Sequence, residues 1–155
     1  HRDLHSFPTR RSSDLSGEVV TFLGAKDKGY GGFCLRPDAG RKPMTFTTAQ
    51  GVLKEDALRF DTPWADVSYP VKPNGPLSGA AIFEHPSNPE YPFPGWIMRH
   101  YSFLGASWPH ETTHTMQPGE SFELRYRLLV HRGNAEEAKV AEAAQIYAEE
   151  NGAKK

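Results

Sequence analysis

Four prolines within residues 85–95 (HPSNPEYPFPG) constrain this chain more than any other feature of its sequence. Proline fixes φ and has no N–H to donate, and the residue before each proline is pushed away from the helical region. The stretch therefore cannot be a helix or an inner strand, and we expect a rigid, partly extended loop. Because such a loop can hold polar side chains in fixed positions, it is the first place to look for a functional site.

The segments on both sides of this loop are typical of β-strands. Residues 77–84 contain the small apolar run GAAIF, which predicts a central strand buried on both faces, and residues 96–104 predict one alternating strand. Residues 64–71 predict an edge or irregular strand because Pro63 and Pro70 flank them. Further strands are expected at residues 18–24, 32–35, 44–48 and 121–131.

Helical spacing occurs only after Arg132. Asn134 is a suitable N-cap, Asn151 and Gly152 suit the helix end, and four apolar residues between them should pack on a sheet: Val140, Ala143, Ala144 and Tyr147. The many turn residues (13 Pro, 14 Gly) and aromatic residues (9 Phe, 6 Tyr, 3 Trp) favour β structure elsewhere. We therefore expect an all-β fold, an antiparallel β-sandwich that is part of a larger sandwich, with one C-terminal α-helix.

Composition excludes several classes of function. The formal net charge of −1 gives no electrostatic case for binding nucleic acid, and no apolar run approaches the roughly 20 residues that cross a bilayer. The single cysteine, Cys34, excludes an intramolecular disulfide and a multi-cysteine zinc site, and we expect it to be buried. Nothing in the sequence points to a cofactor.

Residues 1–15 (HRDLHSFPTRRSSDL) have no hydrophobic region of a secretory signal. Back-translation gives DNA that resembles a common sequencing-library adapter, so we interpret this segment as translated adapter fused to a metagenomic fragment. The alternative is a basic tail that contacts an anionic partner through Arg2, Arg10 and Arg11. On the first interpretation, residues 16–155 are the domain and its natural N-terminus is absent.

Residues 110–114 match the zinc-binding pattern H-E-x-x-H. That pattern works only on a helix, which places His110 and His114 on one face around the metal. Pro109, two threonines and Pro118 disfavour a helix here, so a zinc hydrolase is a distant alternative and we assign no metal site.

A second group of polar residues surrounds the proline-rich loop. His85, Asn88, Arg99 and His100 could bind a hydroxylated ligand, and Trp96 or Tyr91 could stack on a sugar face. The alternative is that these residues cap turns and form structural pairs. Asp66 could serve as a general base or lie in an ordinary turn.

Five segments resemble the PmoA-like family in their order and spacing. They are residues 29–36 (GYGGFCLR), 63–66 (PWAD), 79–88 (GAAIFEHPSN), 96–101 (WIMRHY) and 124–133 (LRYRLLVHRG). Members are about twice as long, so residues 16–155 resemble their C-terminal part and the N-terminal half of the domain is missing. Many members have histidine after the tryptophan, where this chain has Ile97.

The resemblance implies a soluble bacterial family of unknown function that carries the label "methane oxygenase PmoA" and is frequently exported. It also implies a fold similar to the β-sandwiches of sugar-active proteins. Our leading hypothesis is a carbohydrate-active or carbohydrate-binding domain, and the alternative is a non-catalytic structural or interaction module. The expected catalytic residues are His85, Arg99, His100 and Asp66, and the expected ligand-binding residues are Asn88, Trp96, Tyr91 and Arg36. If the domain is an enzyme, such a site suits proton transfer of the isomerase or lyase type.

Overall fold

The main sheet has five antiparallel strands in the order β10-β6-β5-β3-β4. The computed structural model describes residues 17–38, 40 and 42–152. The strands of this sheet are β3 (Thr45–Thr48), β4 (Gly51–Leu53), β5 (Trp64–Pro70), β6 (Leu77–Glu84) and β10 (Tyr126–Arg132). The apolar β6 lies between β5 and β10, so it is a central strand as predicted, and Ile82 and Phe83 pack into apolar clusters on opposite faces of the sheet.

Two smaller sheets complete the β structure. A three-stranded sheet has the order β2-β8-β7, and a two-stranded sheet pairs β1 with β9. Their strands are β1 (Val20–Phe22), β2 (Phe33–Leu35), β7 (Trp96–Arg99), β8 (Phe103–Ala106) and β9 (His114–Met116).

The five-stranded and three-stranded sheets pack face to face as a sandwich. Their shared core contains Phe46, Val67 and Ile82 from the main sheet, and Trp96 and Leu104 from the smaller one, all fully buried. This apolar layer confirms the predicted antiparallel β-sandwich.

The opposite face of the main sheet is covered by helix α1 (Val140–Glu150). Val140, Ala144 and Tyr147 are buried against Trp64 and Phe83 in a second apolar cluster, with Ala143 packed beside it. The predicted helix and its apolar face are confirmed. It is the one helix in the described part of the chain, and it is too short to cross a membrane.

The helix begins later than Asn134, its predicted N-cap. The Asn134 and Glu137 side chains each accept the other residue's backbone N–H at 2.9 Å, the reciprocal pattern of a capping box. However, Lys139 has a left-handed backbone with φ of 53° and interrupts the helical path, so regular α-helix starts at Val140.

Two predicted strands are corrected by the structure. β5 is not an edge or irregular strand: it lies between β3 and β6. Pro63 precedes β5 and Pro70 ends it, so the missing N–H groups leave its interior pairing intact. Residues 96–104 do not form one strand, because the chain turns back after Arg99, with Ser102 at φ 107°, and β7 pairs with β8.

Cys34 is exposed, contrary to expectation. It lies on β2, an edge strand of the three-stranded sheet. Its neighbours Phe33 and Leu35 pack against the core. Strand alternation therefore turns Cys34 outward.

The same substitution in two strands of the main sheet tests this core. Val67→Ala removes a fully buried side chain from central β5, and Val52→Ala truncates a side chain that is 62 % exposed on β4. We expect Val67→Ala to lower the free energy of unfolding by about 2 kcal/mol. We expect Val52→Ala to change it by less than about 0.5 kcal/mol. Urea denaturation measures both, and equal losses would contradict the packing described.

Candidate functional site

The eight side chains selected from the sequence lie in five different environments. His85, Asn88 and Tyr91 lie on the proline-rich loop, Arg99 ends β7 and His100 follows it, and Asp66 lies on β5. Arg36 lies beyond β2, where its guanidinium sits 5.2 Å from the ring centre of Phe103. Trp96 is fully buried in the sandwich core, so its ring has no exposed face for a ligand.

The proline-rich loop is fixed to the chain segment that leads into β10. The Asn88 side chain donates to the Arg125 carbonyl at 2.9 Å and accepts the Arg125 N–H at 2.8 Å. The His85 N–H donates to the same carbonyl at 3.1 Å. The amide of Asn88 thus takes the place of a backbone pairing partner, and the loop continues the sheet without being a strand.

His85 connects the loop to the end of α1. Its Nδ1 is 3.0 Å from the Ser87 N–H, which can only donate, so Nδ1 is the acceptor and Nε2 carries the proton. Nε2 then donates to Asn151 Oδ1 at 3.1 Å, and the ring packs edge-on against Tyr147. Both ring nitrogens are occupied within the chain, so His85 links the loop to the end of α1.

Glu84 is the most unusual group beside the loop. This last residue of β6 is 2 % exposed, and its Oε2 accepts the Phe93 N–H at 2.9 Å. Burial raises the pKa of Glu84 from its ordinary 4.5 to about 7, against the hydrogen bonds from Phe93 and the Asn88 side chain. The negative charges of Asp61 and Glu90 add to the rise in this pKa. Near neutral pH the carboxyl group can therefore release or accept a proton.

A cavity of about 190 Å³ opens beside this carboxyl group. One side of it is lined by Trp64, Phe83, Glu84 and Tyr91. The other side is lined by residues of α1, including Gln145. Burial and the negative charge of Glu84 both raise the pKa of Tyr91, so its phenol keeps its proton at neutral pH. We name this space the Glu84 cavity. Its lining residues include Trp64, Phe83, Glu84, Tyr91 and Gln145.

Arg99 and His100 belong to a separate network on the surface. Both contact the Asp56 carboxylate at 2.8 Å, through Arg99 Nε and His100 Nδ1, and the His100 N–H donates to it at 2.7 Å. Although burial opposes it, these contacts hold the pKa of Asp56 below its usual value. The guanidinium of Arg99 also lies over the ring of Tyr101. The hydroxyl groups of Tyr101 and Tyr30 form a hydrogen bond of 2.7 Å. The network ties the β7–β8 turn to Asp56.

Asp66 pairs with a histidine that sequence reasoning passed over. Its Oδ2 lies 2.6 Å from His131 Nε2, and its Oδ1 accepts the Ser68 hydroxyl at 2.6 Å. Asp66 is fully buried, and the His131 side chain is 6 % exposed. Burial disfavours the imidazolium, but the hydrogen bond and charge of Asp66 prevail and raise the pKa of His131.

Gly79 makes this pair possible. His131 and Ser68 both face Gly79 in the register of the sheet, on opposite sides of β6. A Cβ at Gly79 would lie 2.5 Å from Cε1 of His131, so any larger residue would occupy the space of the imidazole. The missing side chain lets His131 reach across β6 to Asp66.

The His110–His114 pattern does not form a zinc site in the described residues. Residues 110–113 form a turn and His114 starts β9, so the two histidines do not share a helix face. His110 is buried with Nε2 2.8 Å from the Leu58 carbonyl, and His114 packs against Trp108. Among the described residues no group of three or more His, Cys, Asp or Glu side chains could hold a metal ion.

Three polar residues described above were not selected from the sequence as site residues. Glu84 ends the apolar β6 directly before the rigid loop, and an acidic residue at that junction is a signal that could have been used. His131 continues the alternation of β10 and looked like an ordinary strand residue. Gln145 lies on an exposed helix face, where its position gives no sequence signal.

The pKa of Glu84 leads to a prediction about stability. Because the pKa is raised in the folded state, the contribution of Glu84 to stability is fully present below about pH 4.5 and is lost as pH rises through about 7. Glu84→Gln removes the ionisation, so we expect a gain on the order of 3 kcal/mol at pH 8 relative to its effect at pH 4. Urea unfolding between pH 4 and 8 measures the difference.

The control for this experiment is Glu136→Gln, which neutralises an exposed carboxylate. It should leave the pH dependence of the wild type nearly intact. An unchanged pH profile in Glu84→Gln would show that the carboxyl group is ionised in the folded protein at little cost.

Comparison with known proteins gives one family match. No curated protein and no solved structure matches the chain. The match begins at residue 11, within the segment interpreted as adapter (residues 1–15). That segment lies outside the described residues. The description of the matched family does not mention methane oxidation. It agrees with the expectation of a family without an assigned activity. With residues 11–145 matched, the chain belongs to a family of unknown function (DUF6807).

Proposed function

We propose that the domain binds a small hydroxylated ligand of the carbohydrate class in the Glu84 cavity. The observation that carries this proposal is the buried carboxyl group of Glu84, which lines a cavity together with Trp64 and Tyr91. A carboxyl group and a phenol exchange hydrogen bonds with hydroxyl groups, and aromatic rings pack on the apolar C–H face of a sugar.

The size of the cavity limits the ligand. Pockets for drug-sized molecules enclose roughly 300–1,000 Å³. At about 190 Å³, the Glu84 cavity suits a ligand the size of a single sugar ring or the end of a chain. We therefore expect recognition of a monosaccharide unit rather than of an extended glycan surface.

The loop residues expected from the sequence support this cavity from outside. Asn88 interacts with the Glu84 carboxyl group and is locked to Arg125, and His85 joins the loop to Asn151. We assign both as positioning residues that fix Glu84 and Tyr91 before the ligand arrives. The resemblance to the PmoA-like family, with its sugar-active fold relatives, favours the same class of ligand.

A purely structural module is the second candidate. It is favoured by the Asp56 network, in which Arg99 and His100 bind a carboxylate of the chain itself. On this alternative, Glu84 serves only to anchor the loop through Phe93, and the cavity holds water.

Binding measurements separate the two candidates. Isothermal titration with a panel of neutral and acidic monosaccharides should reveal a ligand for the wild type. Tyr91→Ala and Glu84→Gln should each weaken its binding at least tenfold, because an aromatic contact or a charged hydrogen-bond partner is lost.

Tyr101→Ala is the matched control for Tyr91→Ala, since Tyr101 is an exposed tyrosine in the Asp56 network. It should bind the ligand as tightly as the wild type. If no monosaccharide binds, the structural candidate is favoured; if all three variants bind a sugar equally well, the Glu84 cavity is not the binding site.

A further inference from the structure

The outer face of the three-stranded sheet carries two arginines that take no part in the Glu84 cavity. On each strand of this sheet one residue packs in the sandwich core, and its neighbour along the strand points to the opposite face. The outward neighbours of Leu35, Leu104 and Met98 are Arg36, Phe103 and Arg99. Phe103 pairs with Arg99 in the sheet. The two arginines therefore flank Phe103 in one row across the sheet, with Cα atoms roughly 10 Å apart at the usual strand spacing.

Both guanidinium groups are positioned by aromatic rings. That of Arg36 lies 5.2 Å from the ring centre of Phe103, and that of Arg99 lies 5.2 Å from the ring centre of Tyr101. Phe103 in turn meets Tyr30 edge-on, with ring centres 4.8 Å apart. These contacts restrict the two arginine side chains before a ligand arrives, which lowers the entropy lost on binding.

Most of the arginine donors have no partner among the described residues. Arg99 uses Nε for the Asp56 carboxylate, which leaves its two terminal nitrogens free. Arg36 is exposed, and within the described part of the chain its guanidinium contacts only the ring of Phe103. Asp56 therefore balances one of the two positive charges and leaves the other unpaired.

Two phenol groups accompany the arginines. The Tyr30 and Tyr101 hydroxyls form a hydrogen bond of 2.7 Å, which uses one of their two protons and leaves the other for a ligand. Burial and the Tyr101 hydroxyl raise the pKa of Tyr30, against the positive charges of Arg99 and Arg36. The Tyr30 phenol therefore keeps its proton at neutral pH, and both guanidinium charges act on it.

The β7–β8 turn holds this arrangement in place. Ser102 has φ of 107°, in a region that favours glycine, although it is 3 % exposed. The Ser102 hydroxyl donates to the Pro37 carbonyl, and Asp56 accepts the His100 N–H. A strained backbone persists only where the surrounding contacts compensate for it, and such residues are concentrated at functional sites.

We propose that this face binds a tetrahedral oxyanion, a phosphate or sulfate group, between Arg36 and Arg99. Guanidinium groups bind such anions through charge-assisted N–H···O bonds, and a phenol hydroxyl adds a neutral donor. A planar carboxylate is matched by one guanidinium fork, whereas a tetrahedral anion accepts hydrogen bonds from several directions at once. The site is separate from the Glu84 cavity and does not rest on the function proposed for it.

Isothermal titration of the full chain at low ionic strength tests the proposal, with inorganic phosphate, sulfate and glycerol 3-phosphate as ligands. We expect binding to the wild type that weakens with added NaCl, since salt screens exposed charges. Arg36→Gln should weaken phosphate binding at least tenfold, because it removes a charged donor and leaves the Asp56 network intact. A wild type that binds none of the three anions would overturn the proposal.

Arg132→Gln is the matched control, because Arg132 is also an exposed arginine but lies on β10 in the main sheet. It should bind phosphate as tightly as the wild type. An equal loss in Arg36→Gln and Arg132→Gln would show non-specific attraction to positive charge and would overturn the site. Arg36→Lys keeps the charge without the planar fork, so we expect an affinity between those of the wild type and Arg36→Gln.

The three ligands also identify the source of the anion. Tighter binding of glycerol 3-phosphate than of inorganic phosphate indicates an organic phosphate, and the reverse order indicates a free anion; either result supports the site. Monosaccharide binding in the Glu84 cavity should be unchanged in Arg36→Gln, so the two proposals can fail independently.

Discussion

The desolvated carboxyl group of Glu84 is the point at which the sheet, the loop and the helix of this domain meet. It ends β6, accepts the Phe93 N–H from the far side of the loop, and faces the residues of α1 that cover the sheet. A negative charge at this position is disfavoured because little water reaches it, and the pKa of Glu84 is therefore raised to about 7. The same burial that makes the group costly in the folded protein makes it chemically responsive near neutral pH.

Much of the fold could be predicted from the sequence because local patterns specify it. The apolar run of β6, the four prolines of the loop and the spacing of Val140, Ala144 and Tyr147 each act over a few residues, and each prediction was confirmed. Errors arose where tertiary context decides the outcome. Pro63 and Pro70 suggested an edge strand, but their effect depends on whether they lie within a strand or at its ends. The turn after Arg99 depends on a single left-handed residue, Ser102.

The arrangement of polar side chains could not be predicted in the same way. Asp66 and His131 are 65 residues apart, and their contact depends on three strands pairing in register and on the missing side chain of Gly79. His85 and Asn88 lie on the same loop, but their partners Asn151 and Arg125 come from distant segments. Sequence spacing indicates which residues are near one another along the chain, but not which side chains form hydrogen bonds in the folded domain.

β5 carries Trp64 and Asp66 on the same face of the main sheet, since strand residues two apart point the same way. Their Cα atoms are about 7 Å apart at the usual rise per residue. One residue of this strand borders the Glu84 cavity and the other holds His131. A one-residue slip of β5 would turn both side chains into the apolar layer between the sheets. The Glu84 cavity and the Asp66–His131 pair therefore both depend on the register of β5, and a substitution that shifts this strand would alter both.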